Sequence, residues 1–206
     1  MRKNPTLFVR DYTDPHRPVL TPEPNPECAW VLAGEGHPTR KYDGTCVLYD
    51  VTGWWARRDV KPGKPRPHVY MPVHTDPTTG KTFGWEPIDQ SPHAKAHADA
   101  LDWLPQHKDA HGDLSAILDY GTFELCGPKI NGNPENYDHH VLIPHADAAH
   151  VPPFGYTFGD LHRTMLWLRA EGIEGIVWHH PDGRMAKLKH RDYANLSHPA
   201  PVTIGD

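Results

Sequence analysis

The 206-residue chain has no run of about 18 apolar residues, so nothing in it reads as a membrane span. Its opening, from Met1 to Asp11, holds no long apolar stretch, and a secretory signal is not expected there. Cysteine is scarce: Cys28, Cys46 and Cys126 are odd in number and widely spaced. They form no CxxC zinc pattern and no disulfide framework, and a reducing, intracellular and cytoplasmic setting is expected. An excess of positive charge is also missing. Lys and Arg total 21 against 26 Asp and Glu, a formal net charge of −5. Nucleic-acid binders are usually basic, because neutralising phosphate supplies much of their affinity. The cations here are instead grouped. Arg57, Arg58, Lys61, Lys64 and Arg66 form one cluster, and Arg184, Lys187, Lys189 and Arg191 another.

Two familiar site signatures are incomplete. Gly80-Lys81-Thr82 resembles the end of a phosphate-binding loop, but position 75 is Thr where the first glycine belongs. There are 17 histidines, with His93/His97 and His107/His111 at helical spacing, yet no HExxH and no cysteine pair to complete a zinc site. These histidines read as surface residues.

Proline is abundant, with 23 residues, and divides the chain. Residues 1–38 read as an irregular segment with a short strand at Leu7–Val9. Residues 62–92 read as a proline-rich insertion or loop with short strands. Thr45–Val51 reads as a strand with Trp54–Arg57 as its hairpin partner. Between His93 and His107, residues Ala94, Ala98, Leu101 and Leu104 have helical spacing. Ile117–Cys126 and His139–Ile143 read as strands. Thr157 can cap a helix with Leu161, Met165 and Leu168 on one face, ending at Gly172. Two further strands flank Pro181-Asp182-Gly183, a turn signal. The mixture predicts a single α+β domain over residues 1–206, built on antiparallel sheet with flanking helices.

A two-residue loop at Asp182-Gly183 places Glu174 opposite Arg191, Ile176 opposite Lys189 and Trp178 opposite Lys187. Paired residues share a sheet face. The expectation is therefore one surface carrying a carboxylate, two ammonium groups and a central isoleucine. The bland alternative is a hairpin face with cross-strand ion pairs, each contributing little.

Lys41-Tyr42-Asp43-Gly44 fits KxDG, the nucleophile motif of covalent nucleotidyltransferases. Three segments follow in the order of that superfamily. Phe123–Gly127 resembles its motif III, Glu174–Val177 its motif IV, and Lys187-Leu188-Lys189 its motif V. TRKYDGTC, WWARRDVKP, FELCGPKINGNPE, HVLIPHA, EGIEGIVWHHPDG and AKLKHRDY together resemble the ATP-dependent 5′–3′ RNA ligase type of vertebrates, from about Thr39 to His198. Arg40 stands where an acidic residue is familiar in that family.

The resemblance implies a nucleotidyltransferase fold, the ATP-grasp-like ligase adenylylation domain. It also implies three steps. Lys41 takes AMP from ATP, AMP passes to an RNA 5′-phosphate, and a 3′-hydroxyl displaces it to seal the strand. Lys187 and Lys189 would neutralise the α-phosphate. Glu174 would hold Mg²⁺ or Mn²⁺. Glu124 would bind the ribose, and Asp43 and Gly44 would belong to the ATP site. Arg57 would hold ribose or an incoming phosphate, and Ile176 or Val177 would pack on the adenine. A free lysine titrates near ~10.4, so the nucleophile needs cations, desolvation or metal nearby. Arg57, Arg58, Lys61, Lys64 and Arg66 are candidates to hold RNA ends. Nothing in the sequence points to a protein partner.

A capping-type guanylyltransferase or a DNA ligase uses the same lysine chemistry. Both typically add an oligonucleotide-binding-fold domain after motif V, and the 17 residues after Lys189 leave no room for one. An inactive RNA-binding module is the non-enzymatic alternative, and the presence of every expected reactive residue argues against it.

Overall fold

The computed structural model describes residues 3–14, 16–77, 79–103 and 119–196. They pack as two compact units. One comprises Lys41–Ala149 with Met1–Lys3, the other Asn4–Arg40 with His150–Asp206.

The first unit is built on a six-stranded sheet. Its strands are β4 (Thr45–Asp50), β5 (Gly53–Val60), β6 (Met71–Thr75), β7 (Thr82–Pro87), β8 (Gly121–Cys126) and β9 (Val141–Pro144). The order is β6-β7-β5-β4-β8-β9, and every neighbouring pair is antiparallel. The proline-rich segment, expected to be a loop or insertion with short strands, supplies two of these strands, β6 and β7. Its prolines sit where they cost little: Pro72 at a register shift in edge strand β6, Pro87 at the last position of β7.

Register sorts the sheet's side chains. Val47 pairs with Ala56 and Phe123, Cys46 with Glu124, Leu48 with Trp55 and Thr122, and Arg57 with Trp85. Because side chains alternate, Val47, Phe123 and Leu125 share one face, and Cys46, Glu124, Trp55 and Arg57 share the other. The first face forms the core of this unit with Ala100, Ile130 and Leu142. Helix α2 (Ala94–Trp103) packs there, following the short α1 (Ala29–Leu32) of the second unit in chain order. The helix is rotated from the expected face. His97 and Ala100 are buried while Ala98 is exposed. Alanines bury little area, whereas His97 sets its ring edge-on to Trp54, centroids 4.6 Å apart. Leu104, Pro105, His107 and His111 lie outside the described residues, as does Ile117.

The second unit contains a strand pair, β1 (Phe8–Asp11), which overlaps the short strand expected at Leu7–Val9, with β2 (Val19–Pro24), in a stretch expected to be irregular. A three-stranded sheet follows the order β11-β10-β3, with β3 at His37–Lys41, β10 at Gly175–His179 and β11 at Met185–Lys189. Helix α3 (Phe158–Ala170) packs Leu161, Met165 and Leu168 into the core with Ile176, Trp178 and Leu188. Its ends match the sequence signals. Thr157 Oγ1 accepts from the Asp160 amide at 3.1 Å. At the other end the Gly172 amide reaches the Arg169 carbonyl and the Ile173 amide reaches that of Leu168, a Schellman closure.

The hairpin register differs from the expectation by one residue. Ile176 pairs with Leu188, Val177 with Lys187 and Gly175 with Lys189. The loop has three residues, not two. The Gly183 amide closes a turn on the His180 carbonyl, and Gly183 takes φ +89°, a conformation glycine adopts without penalty. This slip moves Ile176 to the core face and Val177 to the face of Lys187 and Lys189.

No helix among the described residues is long and apolar enough to cross a membrane. Burial holds His97 well below the usual histidine range, at about 4, and its Nε2 has no hydrogen-bond partner among the described residues. The folded state therefore favours neutral His97. Its stability contribution is complete above the free-histidine value of about 6.5 and is lost as pH falls toward 4. His97→Phe, which keeps a ring against Trp54, should show a shallower loss of urea midpoint than wild type between pH 6.5 and pH 4. An unchanged slope would remove His97 as the cause.

Candidate active site

The first unit brings the KxDG segment Lys41–Gly44, motif I of the resemblance, into direct contact with Phe123–Gly127, which resembles motif III. Lys41 ends β3, and the Tyr42–Gly44 turn leads into β4. Cys46 and Glu124 are paired across β4 and β8, which sets the Glu124 side chain beside the start of β4. Glu124 Oε1 accepts the Gly44 amide at 3.1 Å. The glycine is required sterically. A Cβ at position 44 would lie 2.4 Å from the Leu125 carbonyl oxygen and 2.7 Å from Cys46 Sγ. The motif needs glycine here because two backbones approach where no side chain fits.

The other Glu124 oxygen, Oε2, lies 2.9 Å from His145 Nε2. His145 begins a short 3₁₀ turn after β9, and its Nδ1 lies 2.9 Å from Thr122 Oγ1. The carboxylate is thus held from two sides, with its imidazole partner itself anchored on β8. Arg57 lies on the same sheet face, its guanidinium 5.3 Å from the centre of the Phe83 ring and 3.6 Å from Asp59. Burial, then the Glu124 carboxylate, pushes the Cys46 thiol up to about 12, while Arg57 and Lys41 pull it the other way. Lys41 Nζ donates to the Tyr42 carbonyl at 3.3 Å.

Two more residues seat the motif I turn. Glu135 Oε1 accepts the Asp43 amide at 2.8 Å, and Asn131 Nδ2 donates to Asp43 Oδ1 at 3.1 Å and to the Gly44 carbonyl at 2.8 Å. Neither residue, nor His145, had been given a role from sequence. They lie within INGNPE and HVLIPHA, and that presence was their only signal.

Donor atoms of Cys46, Glu124 and His145 lie within 4.8 Å of one another. Thiol, imidazole and carboxylate are a donor set for a zinc-type ion, whereas Mg²⁺ takes oxygens. The expected Mg²⁺ ligand is elsewhere.

That ligand, Glu174, is buried in the second unit. Its Oε1 lies 2.5 Å from Lys189 Nζ and 3.1 Å from an Arg191 guanidinium nitrogen. Lys187 and Lys189 point to one side of β11 with Val177, despite the register change. Ile176 does not join them: it is fully buried in the core against Leu188. Val177, paired with Lys187, lies on the side of the two lysines.

The cations expected to hold RNA ends are spread over β5 and the loop that follows it. Arg57 and Arg58 are adjacent on β5 and therefore face opposite ways. Arg58 approaches Glu86 at 4.0 Å, and Lys61, Lys64 and Arg66 are exposed in the loop after β5.

A family model described as RNA ligase 1 matches residues 110–204, which include Glu124, Glu174, Lys187 and Lys189 and begin after Lys41. RNA ligase 1 of the orangutan Pongo abelii is 28% identical over 228 residues, covering 81% of this chain and 69% of that protein. RNA ligase 1 of Rattus norvegicus is also 28% identical, covering 80% and 69%. That of the zebrafish Danio rerio is 25% identical, covering 81% and 69%. The chain is similar to RNA ligase 1.

The steric account of Gly44 is testable without any activity. Gly44→Ala should cost about 1–3 kcal/mol through overpacking against β8. Gly121→Ala, with nothing within 4 Å of the added methyl, is the control and should be near neutral. Urea denaturation reads both, and equal effects would remove the close approach as the reason for glycine.

Proposed function

We propose that the protein is an ATP-dependent RNA ligase that seals RNA 5′-phosphate and 3′-hydroxyl ends through a lysyl–AMP on Lys41. The observation that carries the reading is the Glu124 carboxylate bonded to the Gly44 amide, a motif III acid seated on the motif I turn. Similarity to RNA ligase 1 supports RNA as the substrate.

In the first step Lys41 Nζ attacks the α-phosphorus of ATP, the bond to the bridging oxygen breaks, and pyrophosphate leaves. AMP next passes from Lys41 to the terminal phosphate of RNA. The 3′-hydroxyl then attacks that phosphate, a phosphodiester forms and AMP departs. Glu124 accepts hydrogen bonds from the ribose, with His145 holding its orientation. Arg57 binds ribose or the incoming phosphate. Lys187 and Lys189 neutralise charge developing on the α-phosphate, the type of stabilisation that contributes most when donors are fixed in advance. Val177 covers the adenine. Glu174 offers a hard oxygen donor suited to Mg²⁺ or Mn²⁺, since such ions are bound through one or two carboxylates plus substrate phosphates. When bound, the ion withdraws charge from the phosphate under attack.

Lys61, Lys64 and Arg66 guide the strand end from an exposed loop, and binding through them should weaken with salt. Three free cysteines among the described residues fit a reducing, intracellular setting.

Offered α-labelled ATP and GTP, the protein should retain label from ATP, whereas retention from GTP alone would favour a capping-type enzyme. It should seal 5′-phosphorylated RNA in preference to matched DNA at fixed salt. Equal sealing of all-DNA ends would refute the RNA preference. Glu174→Ala should lose AMP transfer while Asp182→Ala, in the exposed hairpin loop, retains it. His145→Ala should raise the ATP concentration for half-maximal labelling by about tenfold, the size expected when a hydrogen bond to a charged group is lost.

A further inference from the structure

We propose that Gly127–Tyr137 is a clasp that positions the motif I turn for AMP transfer, with Asn131 and Glu135 as its positioning residues. The chemical part of this proposal rests on the ligase reading above.

Two side chains make three hydrogen bonds to the turn: to the Asp43 amide, the Asp43 carboxylate and the Gly44 carbonyl. With Glu124 on the Gly44 amide, both polar backbone groups of Gly44 are engaged by residues distant in sequence. A turn held this way keeps one conformation, and Lys41 lies immediately before it.

The clasp is itself built to stay in place. Its backbone folds through successive turns, Ile130 amide to Gly127 carbonyl, Asn133 to Ile130 and Asn136 to Asn133. Asn133 closes the far end, donating to the Tyr137 carbonyl and accepting from the Tyr137 amide. Ile130 is buried in the core of the sheet and roots the segment. Four non-glycine residues take positive φ: Lys129 at 68°, Asn131 at 49°, Asn133 at 59° and Asn136 at 55°. Such conformations are uncommon outside glycine and are best tolerated by asparagine, so three of the four are residues suited to them. Backbone held in sparsely populated regions persists where surrounding structure over-determines it, and clusters at functional sites. Here the group being delivered is the Asn131 amide.

The substitutions separate positioning from folding. Glu135→Gln keeps an acceptor for the Asp43 amide, and Glu135→Ala removes it. Asn131→Asp tolerates the same φ but sets an acceptor against Asp43 Oδ1 and the Gly44 carbonyl. Hydrogen exchange at the Asp43 amide should speed up about fivefold to tenfold in Glu135→Ala and stay near wild type in Glu135→Gln, as for loss of one hydrogen bond. The maximal rate of lysyl–AMP formation should fall about tenfold to a hundredfold in Glu135→Ala and Asn131→Asp, the scale of a small misplacement of reacting groups. The ATP concentration for half-maximal rate should change less than about threefold, because uniform binding is not the interaction removed. Glu135→Gln should restore the rate. Unchanged Asp43 exchange in Glu135→Ala would overturn the clasp. Faster exchange with an unaltered rate would overturn its role in the reaction. A wild-type protein that retains no AMP would refute the ligase reading, and the exchange measurement would still decide whether the clasp exists.

Discussion

The hydrogen bond from the Gly44 amide to Glu124 ties the Lys41–Gly44 segment to β8 in the first unit. It exists because β4 and β8 are paired in a register that sets Cys46 against Glu124, and because position 44 carries no side chain. One residue of slip would turn Glu124 into the core beside Val47 and send Phe123 outward. The apolar face therefore enforces the site. Phe123, Leu125 and Val47 must be buried, and burying them leaves Glu124, Cys46 and Arg57 together on the opposite face.

The same logic operates in the second unit on a different element. Ile176, Trp178, Ala186 and Leu188 are fully buried, which commits Val177, Lys187 and Lys189 to the other side of the strand pair. Buried apolar area contributes about 25 cal/mol per Å², and several such residues outweigh the mutual repulsion of two lysines on one face. Glu174 offsets part of that cost through its contacts with Lys189 and Arg191. Removing Glu174 leaves the largely buried Lys189 ammonium without that carboxylate, so its loss is felt in the fold itself.

What was legible in the sequence was mostly local. The α3 helix announced itself through Thr157, its apolar spacing and Gly172, because caps and amphipathic faces are decided within a few residues. The hairpin after β10 was legible in place but not in register, since Pro-Asp-Gly serves a two-residue or a three-residue loop equally well. Strand β2 was obscured by its prolines, and β6 and β7 were legible only as unplaced short strands in a proline-rich stretch, because proline suppresses the alternation that marks a strand while being tolerated at edges and ends. The division into two units was not anticipated by a single-domain reading. The crossings, between Arg40 and Lys41 and between Ala149 and His150, carry no change of composition. Glu124 was singled out through its motif, and the structure sets its carboxylate on the Gly44 amide. His145, Asn131 and Glu135 act through contacts 21 to 92 residues distant, which spacing alone cannot reveal.

The central claim is that Lys41 is the nucleophile, seated at a turn held by Glu124. The most direct test is peptide-mapped mass spectrometry of the protein after incubation with ATP and Mg²⁺. The account predicts a single AMP adduct on the peptide that carries Lys41, lost in Lys41→Ala and in Lys41→Arg, whose guanidinium stays protonated. An adduct on any other lysine, or one that survives Lys41→Ala, would contradict it.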